Sequence, residues 1–324
     1  MNMSAPHTNE HHCMHHGKAT TDCMPCKVDV DVWTQCAVHG PGERAGPVKL
    51  TNRSIIYLLH PPEGESFLVV LNGLWVDEAS DQPFTGLRAL EQQTGARIRF
   101  VLSPGAGHHL SLMAYARAFP DARICVAAGR ISRENPALVS LDNVNAYPID
   151  SPPEELEAAG LRVHVLRGLM EGPRTARAQF LTTQRWGYVC DSTEPLMVLH
   201  LPTGSLTSGG HHWWFRPAGH TDVIDMPGFM KLALRMMGLG IDYMKPGAVS
   251  CETNHTFAMH DRDAFQASCA EVLKWDFDIL LDLHAPPNTC PTSGVKALFQ
   301  TTIGPIAAAD WHNVHWNQSK LPSS

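Results

Sequence analysis

Leu102-Ser103-Pro104-Gly105-Ala106-Gly107-His108-His109 is the stretch on which the fold of this chain turns. It closes an apolar run, Arg97 to Leu102, with a Pro/Gly turn, and it sets two adjacent imidazoles just past that turn. The arrangement recurs. Gly210-His211-His212 follows a hairpin-like segment, Pro195 to Ser208, and His284 closes the run Asp278 to Leu283. A neutral imidazole offers a lone pair near physiological pH while its second nitrogen is held by an outer partner, which suits it to metal ligation. One histidine at a loop mouth is an ordinary polar residue; three with the same strand-then-loop placement point to halves of one metal site.

Working outward, Ser54 to His60 and Ser66 to Leu71 read as two strands joined by Pro61-Pro62-Glu63-Gly64-Glu65, a hairpin. Thr85 to Gln93 predicts a short helix with Leu87 and Leu90 on one face and Gly95 as its stop. A second helix is expected from His108 to about Phe119, and a strand at Arg123 to Ala127. Strand, helix and strand in alternation argue for an α/β layer. Further on, strands are expected at Arg162 to Leu166, Ala178 to Thr183 and Pro195 to Leu201, the last turning through Pro202-Thr203-Gly204 into Ser205 to Ser208. Helices are expected at Asp225 to Met237 and at Asp261 to Lys274, with Asp261 as cap.

Composition limits the functional classes. Of 324 residues, 44% are hydrophobic and 18% charged, the balance of a folded globular chain. The formal charge is −7, and 25 basic residues lie scattered among 32 acidic ones, so no phosphate-binding surface, and no nucleic-acid partner, is expected. No apolar stretch approaches the roughly 20 residues that cross a bilayer, and Met1 to Glu10 is polar, so neither membrane insertion nor secretion is expected. A cytoplasmic protein acting on a small-molecule substrate is the default. Nine cysteines, an odd number, argue for reduced thiols or metal thiolates over a disulfide framework.

Residues 1–47 are rich in His and Cys without apolar periodicity and read as an extension to a main domain over 48–324. Cys23, Cys26, Cys36 and His39 form two pairs, each separated by two residues, with nine between them. That spacing can hold tetrahedral zinc, or the segment is a tail that binds metal loosely.

Taken together, the hairpin at 54–71, the run from Leu102 to His109 followed by Ala118-Phe119-Pro120-Asp121-Ala122, the hairpin at 195–208, and Trp275-Asp276-Phe277-Asp278 leading to His284 resemble the metallo-β-lactamase fold over roughly residues 48 to 305. The resemblance implies a four-layer αββα sandwich with metals held by loops at one edge of the two sheets. It also implies an eroded first motif. Against His-x-His-x-Asp-His ending at His109, Pro104 and Ala106 replace the first two histidines and His108 replaces the Asp. The bridging Asp of the family falls near His212 and its final His on His284. For its middle His there are two candidates, His220 in Pro217-Ala218-Gly219-His220-Thr221, and Glu171.

The implied ligand set is therefore His108, His109, His212 and His284, with His220 or Glu171, and His211 nearby. Neutral imidazoles leave the charge of the ion undiminished and suit zinc and iron alike, so the expected cofactor is a divalent metal, zinc or iron, in a mononuclear site. Asp282, on the same side of its strand as His284, would orient a ligand or accept a proton; otherwise it is a solvated strand-end charge. Trp213, Trp214 and Phe215 would line an apolar pocket or pack between the sheets. Hydrolysis is the expected reaction, with an iron-dependent oxidoreductase and a non-catalytic metal-binding or scaffold protein as alternatives. No phosphate-binding glycine loop, nucleotide fingerprint or nucleophilic Ser motif is legible.

Overall fold

Phe67-Leu68-Val69-Val70-Leu71 is buried at every position, the mark of a strand covered on both faces. The computed structural model describes residues 24–39, 50–74, 84–105, 111–127, 136–147, 152–171, 191–192, 196–208, 213–216, 248–251, 257–259, 262–283, 292–293, 296–297 and 300. In it, this strand is β4 (Phe67–Leu71) of a sheet whose seven strands run in sequence order: β1 (Cys26–Asp29), β2 (Val32–His39), β3 (Leu50–Leu59), β4, β5 (Arg97–Leu102), β6 (Arg123–Ala127) and β7 (Val144–Tyr147). Strands β1 to β4 are antiparallel neighbours, and β4 to β7 are parallel. Parallel neighbours need crossovers. Helices α1 (Thr85–Thr94), α2 (Leu112–Ala118) and α3 (Pro136–Val139) lie in the three connections.

The two faces of this sheet bury different partners. Ile56, Leu58, Leu68, Val70, Ile98, Val101, Ile124 and Val126 join one cluster with Leu87 and Leu90 of α1 and Leu112 and Tyr115 of α2. The alternate residues Ile55, Tyr57, Leu59, Val69, Leu71, Phe100, Leu102 and Cys125 face a second sheet, meeting Leu161, Val165, Leu196, Val198 and Leu281. A register shift opposite Leu68/Val69 inserts Arg99 into β5, and this one extra residue is why Ile98 and Phe100 reach opposite faces.

The second sheet has the order β17-β16-β12-β11-β8, built from β8 (Leu161–Val165), β11 (Leu196–His200), β12 (Ser205–Ser208), β16 (Ile279–Leu281) and β17 (Thr292–Ser293). Short helix α4 (Glu154–Ala158) leads into β8. Its Glu155 accepts from Arg99, at 3.1 Å, and from Arg123, at 2.5 Å, which ties it to the first sheet. Helix α5 (Arg262–Leu273) covers the outer face beside β8, burying Phe265, Cys269 and Val272. The Ser268 hydroxyl accepts from the Arg167 amide at 3.2 Å, and Trp275 meets His164 edge-on. Helix, sheet, sheet and helix thus stack as four layers, an αββα sandwich. Two smaller sheets complete the described strands: β10 (Asp191–Ser192), β9 (Leu169–Glu171) and β15 (Phe257–Met259) in one, β13 (Trp213–Arg216) and β14 (Ala248–Cys251) in the other.

Most expected elements match within a residue or two, and three differ. The strand expected from Ser54 begins four residues earlier, at Leu50. The segment read as an extension supplies β1 and β2, with Val32 and Trp33 buried in the two clusters. Its alternation was masked because Thr34, Gln35 and Cys36 sit where a larger apolar residue would mark a strand; all three are buried. Helix α2 begins at Leu112, later than His108. The expected strand at 178–183, the helix at 225–237 and the cap Asp261 lie outside the described residues.

Candidate metal centre at one sheet edge

Strand direction decides which loops can meet. Strand β8 runs antiparallel to β11, pairing Val165 with Leu196, and β11 runs antiparallel to β12, pairing Met197 with Ser208. Strand β12 is parallel to β16, pairing Thr207 with Leu281. The C-terminal ends of β8, β12 and β16 therefore lie on one edge, at the start of β11. In the first sheet the parallel strands β4, β5 and β6 also share the edge at which they end. A main-chain hydrogen bond joins the two edges: the Leu196 amide donates to the Pro104 carbonyl at 2.8 Å. All these ends thus line one rim of the sandwich.

Described residues at this rim are buried and polar. Ser103, after β5, is fully buried; its amide donates to the Cys125 carbonyl and its hydroxyl to the Gly105 carbonyl, both at 2.9 Å. Asn72, after β4, adopts φ 62°, a left-handed conformation that Asn tolerates better than most residues. Its amide donates to the Leu102 carbonyl at 3.0 Å, its side chain donates to Asn52 and to the Arg53 carbonyl, and its carbonyl accepts from the Ser54 hydroxyl. Gly73 follows, where a Cβ would fall 2.6 Å from Tyr115 Cε2, so no larger residue fits without movement. The Leu74 amide then donates to the Tyr115 hydroxyl at 2.9 Å, and burial pushes the Tyr115 pKa up to about 12.

Arg53 and Asp282 join the sheets at the same rim. Arg53 lies on the face of β3 that carries Ile55, Tyr57 and Leu59, directly opposite Cys36. It is fully buried. Its Nε donates to Cys36 Sγ at 3.1 Å, and its Nη1 donates to the Asp282 carbonyl across the inter-sheet layer. Asp282 itself is 4% exposed, so it is not the solvated strand-end charge that one reading allowed.

The sequence-predicted residues stand as follows. His108, His109, His211, His212, His220, His284 and Cys23 lie outside the described residues. By chain order, His108 and His109 come three and four residues after Gly105, His211 and His212 three and four after Ser208, and His284 directly after Leu283; all three attachment points are on the rim. Glu171 ends β9, paired with Asp191 on one side and Phe257 on the other. Cys26 sits opposite Thr34 on β2, two residues along from Cys36, and the backbone of His39 pairs with Leu50. Among the described residues no group of three or more His, Cys, Asp or Glu side chains is placed to hold a metal ion.

The opposite edge has another character. His60 Nε2 lies 3.3 Å from Asp31, and buried His200 bonds through Nδ1 to Thr203 at 2.9 Å. Burial lowers the His200 pKa to about 4; toward the rim end of β8 it also lowers that of His164. A cleft of about 340 Å³ lined by Arg88, Glu91, Gln92, Gly95 and Arg97 opens at the start of β5, away from the rim.

Sequence reasoning missed Arg53, Asn72 and Ser103. Arg53 had a signal: it is the one charged residue in register with an otherwise apolar face, 53, 55, 57, 59.

No protein-family model matches the chain, and no curated protein matches it. Solved structures do. A metallo-beta-lactamase from Pontibacter korlensis is 11% identical with a TM-score of 0.47, over 88% of this chain and 98% of that one. One from Hirschia baltica is 13% identical with a TM-score of 0.45, over 87% and 96%. One from Pseudomonas aeruginosa, in its mono-zinc form, is 14% identical with a TM-score of 0.43, over 89% and 99%. All three are metallo-beta-lactamases. The αββα layering of the present chain rests on its own strand pairing and burial. Among the described residues, no helix is long and apolar enough to cross a membrane.

Proposed function

We propose that the chain is a metal-dependent enzyme of metallo-β-lactamase-like fold that acts on a small molecule, with hydrolysis as its reaction. One observation carries this reading: the strands that lead into His108 and His109, into His211 and His212, and into His284 all end on the same rim of the sandwich. Residues more than 170 positions apart in sequence are thereby attached to one place. The donor chemistry fits a divalent ion, since neutral imidazoles can ligate either zinc or iron. His108, His109, His212 and His284 are the proposed ligands, with His220 or Glu171 completing the set. A bound ion would supply Lewis-acid activation of water or of a substrate oxygen.

The chain's own groups would do the rest. Buried Asp282, two residues before His284, would orient that imidazole or take up a proton, and His211 is placed in sequence to do the same beside His212. Buried Ser103 and Asn72 hold the first strand ends in fixed geometry, so the loops they launch start from rigid supports.

The test is metal analysis of a chain starting at residue 24. This removes the His-rich leader and keeps β1 and β2, which a cut at 47 would strip from the sheet. One equivalent of zinc or iron is expected, falling below about a tenth when His109, His212 and His284 are replaced together by Ala. Retention of full metal by that triple variant overturns the ligand assignment. Zinc favours hydrolysis; iron, with turnover that consumes oxygen, would favour the oxidoreductase alternative.

A further inference from the structure

We propose that Arg53 is a positioning residue for the candidate metal centre, a guanidinium clamp that fixes the chain leading into His284 against the opposite sheet. The inference rests on the reading of the rim as a metal site, but its structural part can be tested without metal.

A fully buried guanidinium is costly unless its donors are met, because removing the charge from water is expensive. Arg53 sits where that burial does something specific. It belongs to β3 of the first sheet, and Cys36 faces it from β2 in direct register. Nε bonds to the Cys36 sulfur at 3.1 Å, which fixes the plane of the guanidinium, and Nη1 bonds to the main-chain oxygen of Asp282 in the second sheet. The planar fork of Arg can address two acceptors at a set angle, which a Lys ammonium cannot. The acceptor on the far side is backbone, so the clamp acts on the path of the chain and not on one side chain. That path has short support of its own: β16 is three residues long and β17, its outer neighbour, two. Past Asp282 only Leu283, 1% exposed, separates the clamp from His284.

Cys36 acquires a role by the same geometry. Its sulfur accepts from Arg53, where it orients the clamp.

Two readouts test this on the full chain, comparing wild type, Arg53→Gln, Arg53→Lys and a destabilised control, Leu161→Ala, whose fully buried side chain lies at the opposite end of β8. In metal-free protein, amide hydrogen exchange over 279–284 should accelerate in Arg53→Gln while 85–102 keeps wild-type protection; Leu161→Ala should spare 279–284. In cobalt titrations read by visible absorption, Arg53→Gln should bind about tenfold or more weakly with a shifted spectrum, as loss of an outer-shell support does. Arg53→Lys should recover part of both effects, and it carries both readouts if Arg53→Gln does not fold. Unchanged exchange at 279–284 overturns the clamp; cobalt affinity unchanged in a protein whose wild type binds cobalt overturns its role at the metal. If wild type and His284→Ala bind cobalt equally, the metal reading fails while the exchange result still decides the clamp.

Discussion

His200 turns the burial of one imidazole into a measurable pH dependence. Its side chain is 1% exposed, stacked 5.3 Å from Tyr57 and bonded to Thr203, so the charged form is strongly disfavoured in the folded chain. Burial lowers the pKa from 6.5 to about 4, against the opposing pull of Asp31 and Asp29 and with a smaller push from His60. The sign follows from where protons bind. Between pH 6.5 and 4 the unfolded chain protonates this imidazole and the folded chain does not, so stability falls as pH falls through that window. At pH 5 the unfolded group is almost fully charged and the folded one mostly neutral, which amounts to ~2 kcal/mol. The variant His200→Gln keeps a hydrogen-bonding side chain but cannot titrate. Urea unfolding of both proteins at pH 7.5 and pH 5.0 isolates the effect, because the other histidines and carboxylates cancel in the double difference. Wild type should lose about 2 kcal/mol more than the variant on acidification. Equal losses would refute the idea that His200 is held neutral by burial.

Two further perturbations probe the frame around the rim. Gly73→Ala places a Cβ against the Tyr115 ring and should cost about 1–3 kcal/mol in urea unfolding, an overpacking effect that Tyr115→Leu in the same chain should partly relieve. Glu155→Gln removes the partner of both Arg99 and Arg123; because these groups are a third to a half exposed, a loss of only about 0.5–1 kcal/mol is expected, and it should shrink in 1 M salt.

The parts of the fold that sequence makes legible are those with period or punctuation. The 54–71 hairpin carries long apolar runs on either side of a Pro/Gly turn, α1 shows Leu87 and Leu90 on one face before Gly95, and β5 and β6 end in the apolar runs Phe100-Val101-Leu102 and Ile124-Cys125-Val126-Ala127. Strand β2 was not legible because its buried face holds Thr34 and Cys36, residues that pack well between sheets but carry little hydrophobic signal. The bulge at Arg99 has no signature in the sequence, since it exists only in the pairing of β5 with β4.

Of the candidate centre, the attachment of the histidine-bearing segments to one rim follows from strand direction, which the order of elements implies. Of its supports, only Arg53 carries a local signal, as a charge on an apolar strand face. Asn72 and Ser103 act mainly through backbone bonds, and Arg53 works across a gap of 229 residues to a main-chain oxygen, a relationship no local pattern encodes.

X-ray absorption spectroscopy of the metal bound by the chain starting at residue 24 tests the central claim most directly. A rim of histidines predicts a first shell of nitrogen and oxygen at about 2.0–2.2 Å with the outer scattering of imidazole rings and no sulfur. Sulfur at about 2.3 Å would contradict it.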